Sequence, residues 1–67
     1  MVRLTQAQLV DVLTMEQIDI NELRKPNGIK TYSDALFLLI AGDIISVNAL
    51  AKLSWHTVAT VKKVLDV

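Results

Sequence analysis

Few residues of this chain are equipped for chemistry, and that narrows what the chemistry can be. There is no cysteine and a single histidine, His56. A thiolate nucleophile, a cysteine-ligated metal and a histidine-rich metal site are therefore excluded. The acids Asp11, Glu16, Asp19, Glu22, Asp34, Asp43 and Asp66 have no spacing that gathers two of them into a cleft, so the paired carboxylates of acid–base catalysis have no candidate. Two glycines cannot build a glycine-rich phosphate loop. What remains is a set of basic and hydroxyl side chains near the C-terminus, Lys52, Thr57, Thr60, Lys62 and Lys63, around the single His56. Its chemistry is recognition. Ammonium groups can pair with anions, and hydroxyls can donate to or accept from polar groups. The chain is expected to be no enzyme and to carry no cofactor or metal.

These side chains need a scaffold, and the scaffold reads as helical. Thr5-Gln6-Ala7-Gln8 has the form of a capping box. Leu9, Val10 and Leu13 follow at helical spacing, which predicts a helix over 6–16. Asp19-Ile20-Asn21-Glu22 is a second box that opens a short helix over 20–25; a short strand around Ile18 and Ile20 is the alternative. Pro26-Asn27-Gly28 ends it, since Pro cannot continue a helix and Asn-Gly suits a turn with positive φ. Ser33 is the next expected N-cap, with Asp34 in the first turn. Ala35 to Ala41 is apolar all round, which predicts a helix buried on most sides, with Gly42 as its left-handed stop. Ser46 caps a helix reaching 53 or 54. After a break at Trp55-His56, Thr57 caps a last helix over 58–66.

Residues 46–65 resemble the helix-turn-helix of bacterial and phage DNA-binding proteins, of the regulator and recombinase type. With the preceding helix the resemblance extends over 32–67 as a trihelical unit. The family has a small residue where its two helices cross, with an apolar residue before it; Ala51 and Leu50 match. It has a hydroxyl cap on the second helix and a Thr-Val pair three residues on; Thr57, Thr60 and Val61 match. Two polar or basic residues and two apolar ones follow, as in Lys62-Lys63-Val64-Leu65. The turn departs from the family, with Trp55 and His56 in place of Gly and an apolar residue. A second register makes Ser54 the cap, with Trp55-His56 opening the second helix. It leaves Asn48 where the small residue belongs and Lys62 at an apolar position, so the first is preferred.

The resemblance implies an all-α fold: a small helical bundle with a C-terminal trihelical unit (32–67) and one or two N-terminal helices (1–30) packed on it in a single domain, 1–67. It implies a first helix over about 47–54 and a recognition helix over about 57–66 lying in the major groove of double-stranded DNA. Lys52, His56, Thr57, Ala59, Thr60, Lys62 and Lys63 are then the DNA-facing residues, in a transcriptional regulator or a DNA-reading part of a recombination or replication protein. The alternative is an interaction or oligomerisation module on a similar fold, without DNA.

Each feature also has a plainer reading. Lys62 and Lys63 complement the dipole at a helix C-terminus. Trp55 plugs a small core, with stacking on nucleic acid as the alternative. His56 is an ordinary turn residue, or else contacts phosphate. Arg24, Lys25 and Lys30 form a solvated loop, or else clamp a nucleic-acid backbone. Residues 1–23 carry one base against four acids, net minus three; residues 24–67 carry six bases against three acids, net plus three. The chain is thus neutral but electrically two-ended.

Hydrophobic residues make up 52% of the chain but aromatic ones only 4%, a large aliphatic content for a domain that buries only about 60% of its unfolded surface. Leu36, Phe37, Leu39, Leu50, Val61, Val64 and Leu65 are expected in the trihelical core. Leu9, Val10, Leu13, Ile18 and Ile20, with parts of the Leu38-Ile40 and Ile44-Ile45 pairs, are left over; they lie mostly N-terminal, for a lid on that unit or a homodimer seam. The longest apolar run spans seven residues, Ala35 to Ala41. A membrane span needs about 20, so none is expected. No leader pattern opens the chain, and a cytoplasmic location is expected. The end at Leu65-Asp66-Val67 reads as a domain cut from a longer protein, or as a complete one that self-associates through its acidic N-terminal helices.

Overall fold

The computed structural model describes residues 4–67. Among them are six helices and no strand: α1 (Gln6–Met15), α2 (Ile20–Leu23), α3 (Gly28–Thr31), α4 (Ser33–Ala41), α5 (Val47–Ser54) and α6 (Val58–Leu65). The fold is all-α. No helix among the described residues is long and apolar enough to cross a membrane.

Helix starts follow local side-chain chemistry. Thr5 and Gln8 form the complete box: Gln8 N–H donates to Thr5 Oγ1 at 3.2 Å, and Thr5 N–H donates to Gln8 Oε1 at 2.8 Å. Asp19 Oδ1 accepts from Asn21 N–H at 2.9 Å, and Ile20 opens a helix rather than a strand. Ser46 and Thr57 accept from the N–H groups of Ala49 and Thr60. Ser33 does not cap. It is the first residue of α4, the cap position falls on Tyr32, and no side chain bonds there.

Helix stops are less orthodox. Gln17, Asp43, Trp55 and Asp66 have positive φ, between 57° and 61°, and each follows a helix, while neither glycine does. After α1, Ile18 N–H closes on Leu13 O at 2.8 Å and Gln17 N–H on Thr14 O at 2.9 Å. After α4, Ile44 N–H closes on Leu39 O at 2.9 Å and Asp43 N–H on Ile40 O at 3.0 Å. This paired closure satisfies the last carbonyls of a helix when the residue after its cap is left-handed. The left-handed position after α4 is therefore Asp43, not Gly42, whose φ is −83°.

The Pro26-Asn27-Gly28 segment likewise has no positive φ. It leads directly into α3, a helix the sequence did not announce. Gly28 is required there by close approach: a Cβ would stand 2.0 Å from the Glu22 carbonyl oxygen and 2.6 Å from Leu23 Cα.

One core joins all six helices. Leu9 and Leu13 of α1, Leu23 of α2, Ile29 of α3, Leu36 and Leu39 of α4, Leu50 and Leu53 of α5, and Val61 and Leu65 of α6 belong to a single buried cluster, with Ile18 and Ile45 from connections. Of the N-terminal residues expected at a lid or seam, Leu9, Leu13 and Ile18 are thus buried within the chain itself, while Val10 and Ile20 are half-buried. With Thr14, Gln17, Ile18 and Asp19 these two line a groove of about 440 Å³.

The expectation that α4 is buried on most sides is corrected. Leu36 and Leu39 face inward, but Phe37 is 45% exposed and Leu38 69%. Val64, also expected in the core, is 38% exposed. A nine-residue helix at the edge of so small a core can hide one stripe only.

Candidate nucleic-acid interface

Helices α5 and α6 pack on each other more extensively than any other pair, and α6 also rests on α3 and α4. Three residues, Trp55, His56 and Thr57, connect them. Thr57 holds the cap: its Oγ1 accepts from Thr60 N–H at 3.1 Å. Ser54 cannot serve that role, because it is fully buried and its hydroxyl donates back to Leu50 O at 2.7 Å. Trp55 takes the left-handed position at φ 61°, and His56 N–H closes on Ala51 O at 3.0 Å. An indole is sterically costly there, yet the Thr57-capped arrangement is the one adopted.

The core fixes the rotation of α6. Val61 and Leu65 are buried and Val58 half-buried. At 3.6 residues per turn the opposite stripe is Ala59, Thr60 and Lys63, flanked by Lys62, and all four are exposed. Thr57 is exposed at the head of this stripe. Its Oγ1 lies 2.9 Å from Thr60 Oγ1, so the two hydroxyls already share one hydrogen bond. On α5, Ala51 is buried and Lys52 exposed. Lys52 shares a small cavity of about 120 Å³ with Gln6, Leu9, Ala49 and Leu53, which puts it beside α1.

His56 is anchored rather than free. Its Nε2 lies 3.1 Å from the Leu23 carbonyl oxygen. A carbonyl only accepts, so Nε2 carries the proton and Nδ1 is left for another partner. Trp55 is 73% exposed, which overturns its reading as a core plug. The Arg24 guanidinium carbon lies 4.0 Å from the centroid of the Trp55 ring, and Arg24 Nε donates to Leu53 O at 3.2 Å. Arg24 thus leaves the loop in which sequence reasoning placed it and joins the α5–α6 connection. The attraction of a guanidinium for an exposed indole has no local pattern in the sequence.

Charge in this region is largely uncompensated. The one ion pair among the described residues is Lys25–Glu22, at 2.9 Å. That hydrogen bond, reinforced by the carboxylate charge, holds the Lys25 ammonium above its ordinary pKa. Lys52, Lys62 and Lys63 have no carboxylate partner among the described residues. No family model, no curated protein and no solved structure matches this chain.

Proposed function

We propose that the chain is a cytoplasmic, non-enzymatic DNA-binding module that uses α5 and α6 as a helix-turn-helix, in a transcriptional regulator or a DNA-reading part of a recombination or replication protein. The observation that carries this reading is α6 itself. It is capped by Thr57 and held on one side by buried Val61 and Leu65. On the other side it presents Ala59, Thr60 and Lys63, with Lys62 alongside. A rigid helix with an exposed polar and basic stripe suits the major groove, which is wide enough to admit it. Ala59 and Thr60 meet base edges, Lys62 and Lys63 meet phosphate or guanine, and Lys52 meets the backbone. Two copies paired through the groove beside Val10 and Ile20 would cover two half-sites.

The test is a fluorescence titration of labelled duplex DNA at two salt concentrations. Phosphate neutralisation makes affinity fall steeply with salt. Undetectable binding to mixed-sequence duplex at low salt rules the reading out. Lys62→Ala with Lys63→Ala should weaken binding and leave the helical circular dichroism unchanged.

One observation favours a second reading, a protein-interaction module. Phe37 and Leu38 on α4 and Ile44 just after it are apolar and exposed, and such side chains on a small domain mark contact surfaces when they cluster. Sedimentation at high concentration separates the assemblies: a strict monomer removes the pairing of copies and leaves α1 and α2 as a lid.

A further inference from the structure

We propose that Arg24, stacked on Trp55, is a phosphate-binding residue that takes the backbone of duplex DNA beside the start of α6. The inference rests on the DNA-binding reading and adds to it a residue from outside α5 and α6, at the C-terminal end of α2.

Two contacts fix the guanidinium. Its central carbon lies over the indole of Trp55, 4.0 Å from the ring centroid. Its Nε donates to Leu53 O at 3.2 Å. That engages one of five N–H donors and leaves both terminal nitrogens, the fork that binds phosphate in bidentate fashion. No carboxylate pairs with Arg24 among the described residues, and no other hydrogen bond of its side chain is seen there. The fork is oriented, and its donors remain open.

Trp55 makes sense in the same terms. It is the only tryptophan of the chain, it is 73% exposed, and it sits in a backbone conformation that disfavours bulky side chains. Burial does not explain its presence; holding Arg24 does. The stack lies two residues before Thr57, the cap of α6, and so adjoins the end of the exposed stripe from which Thr57 and Thr60 project. An arginine stiffened by stacking loses less freedom on binding phosphate than a lysine on a flexible stem.

A purely structural role is the competitor. A cation at the C-terminus of α5 offsets its exposed carbonyls, and Arg24 would do that without DNA. The test therefore reads DNA and fold separately. Wild type, Arg24→Gln, Arg24→Lys and the Lys62→Ala/Lys63→Ala double variant are titrated with fluorescein-labelled mixed-sequence duplex at several salt concentrations, with circular dichroism as the fold control. Arg24→Gln should weaken binding about tenfold and lower the slope of log affinity against log salt by about 0.9, one phosphate. Arg24→Lys should keep the slope and lose several-fold in affinity, lacking fork and stack.

A second readout needs no substitution: the emission of Trp55 in wild type should change as unlabelled duplex saturates the protein. If Arg24→Gln keeps wild-type affinity and slope while the lysine double variant weakens binding, the Arg24 proposal falls and the DNA-binding reading stands. Unchanged Trp55 emission at saturation overturns the proposal in the same way. If wild type fails to bind duplex at low salt, both fall.

Discussion

His56 Nε2 donates to the carbonyl of Leu23 at 3.1 Å, across 33 positions of sequence. The bond fastens the α5–α6 connection to the last residue of α2. Arg24, the next residue along, reaches the other way to the carbonyl of Leu53. Two adjacent residues of the α2 end are thus laced to two sites flanking Trp55. The start of α6 is held by this lacing in addition to the buried stripe of α6.

Removing the histidine should show what the lacing contributes. His56→Ala leaves the part-buried Leu23 carbonyl without its donor, at a cost of about 1–3 kcal/mol. A domain of this size has roughly 3–10 kcal/mol of stability in all, and each kilocalorie moves its Tm by about 4–8 °C. Thermal denaturation followed by circular dichroism should therefore register a large drop. A Tm within a degree of wild type would mean that the bond contributes nothing to stability.

Gly28 should resist the smallest possible substitution. The Cβ of Gly28→Ala would fall 2.0 Å from the Glu22 carbonyl oxygen and 2.6 Å from Leu23 Cα. Both are backbone atoms, so relief requires moving α2 against α3. A loss of about 3 kcal/mol or more is expected. Gly42→Ala meets its nearest atom, Leu38 O, at 3.2 Å and should cost about 1 kcal/mol or less. Urea denaturation of the two variants checks the order, and a reversed order would contradict the packing at Gly28.

Neighbouring leucines on α4 should behave oppositely. Leu36 is fully buried and Leu38 is 69% exposed. Leu36→Ala should cost about 2–5 kcal/mol, as cavity-forming core truncations do. Leu38→Glu should change stability by about 0.5 kcal/mol or less. Denaturation midpoints for the pair decide whether α4 presents one buried stripe or is enclosed on most sides.

What was legible in the sequence was what is decided within a few residues. Thr5, Asp19, Ser46 and Thr57 were readable as caps because a side-chain oxygen meets an N–H two or three positions on. The stripe on α6 was readable because Val61 and Leu65 contrast with Thr60 and Lys63. Ala35 to Ala41 offers no such contrast, so nothing local says that Leu36 faces in and Phe37 out. The stops hid because Gln17, Asp43, Trp55 and Asp66, rather than glycines, take the left-handed positions. Gly28 was conspicuous, but its reason, the passage of α2 across its α-carbon, lies in tertiary packing. The Arg24–Trp55 stack and the His56–Leu23 bond join distant segments, and no spacing encodes them.

The stop of α1 makes a prediction that runs against the usual cost of glycine. Gln17 is exposed, with φ 61°, and its side chain makes no hydrogen bond among those found for the described residues. The left-handed region costs a residue with a Cβ about 1–2 kcal/mol. Gln17→Gly removes that cost and adds unfolded-state entropy, which takes back part of the gain. A net stabilisation of about 0.5–1 kcal/mol is expected. Gln17→Val, β-branched, should destabilise instead. Paired urea denaturations would show opposite signs; the same sign for both would mean that strain at this position does not matter.

The salt dependence of DNA binding separates the roles given to the α5 and α6 side chains. A residue that only neutralises phosphate lowers the slope of log affinity against log salt by about 0.9 and weakens all duplexes alike. Lys52, on α5 beside α1, should behave in this way when changed to Ala. Ala59 carries no charge, so Ala59→Gln should leave the slope unchanged and alter the ranking of duplex sequences, because a methyl contact is exchanged for an amide that pairs with adenine. Thr57→Ala should first cost about 1 kcal/mol of stability through loss of the cap, and Thr57→Ser should restore it. If Ala59→Gln changes neither the ranking nor the affinity, α6 does not lie in the groove with this stripe toward the bases, and the lysines alone account for the binding.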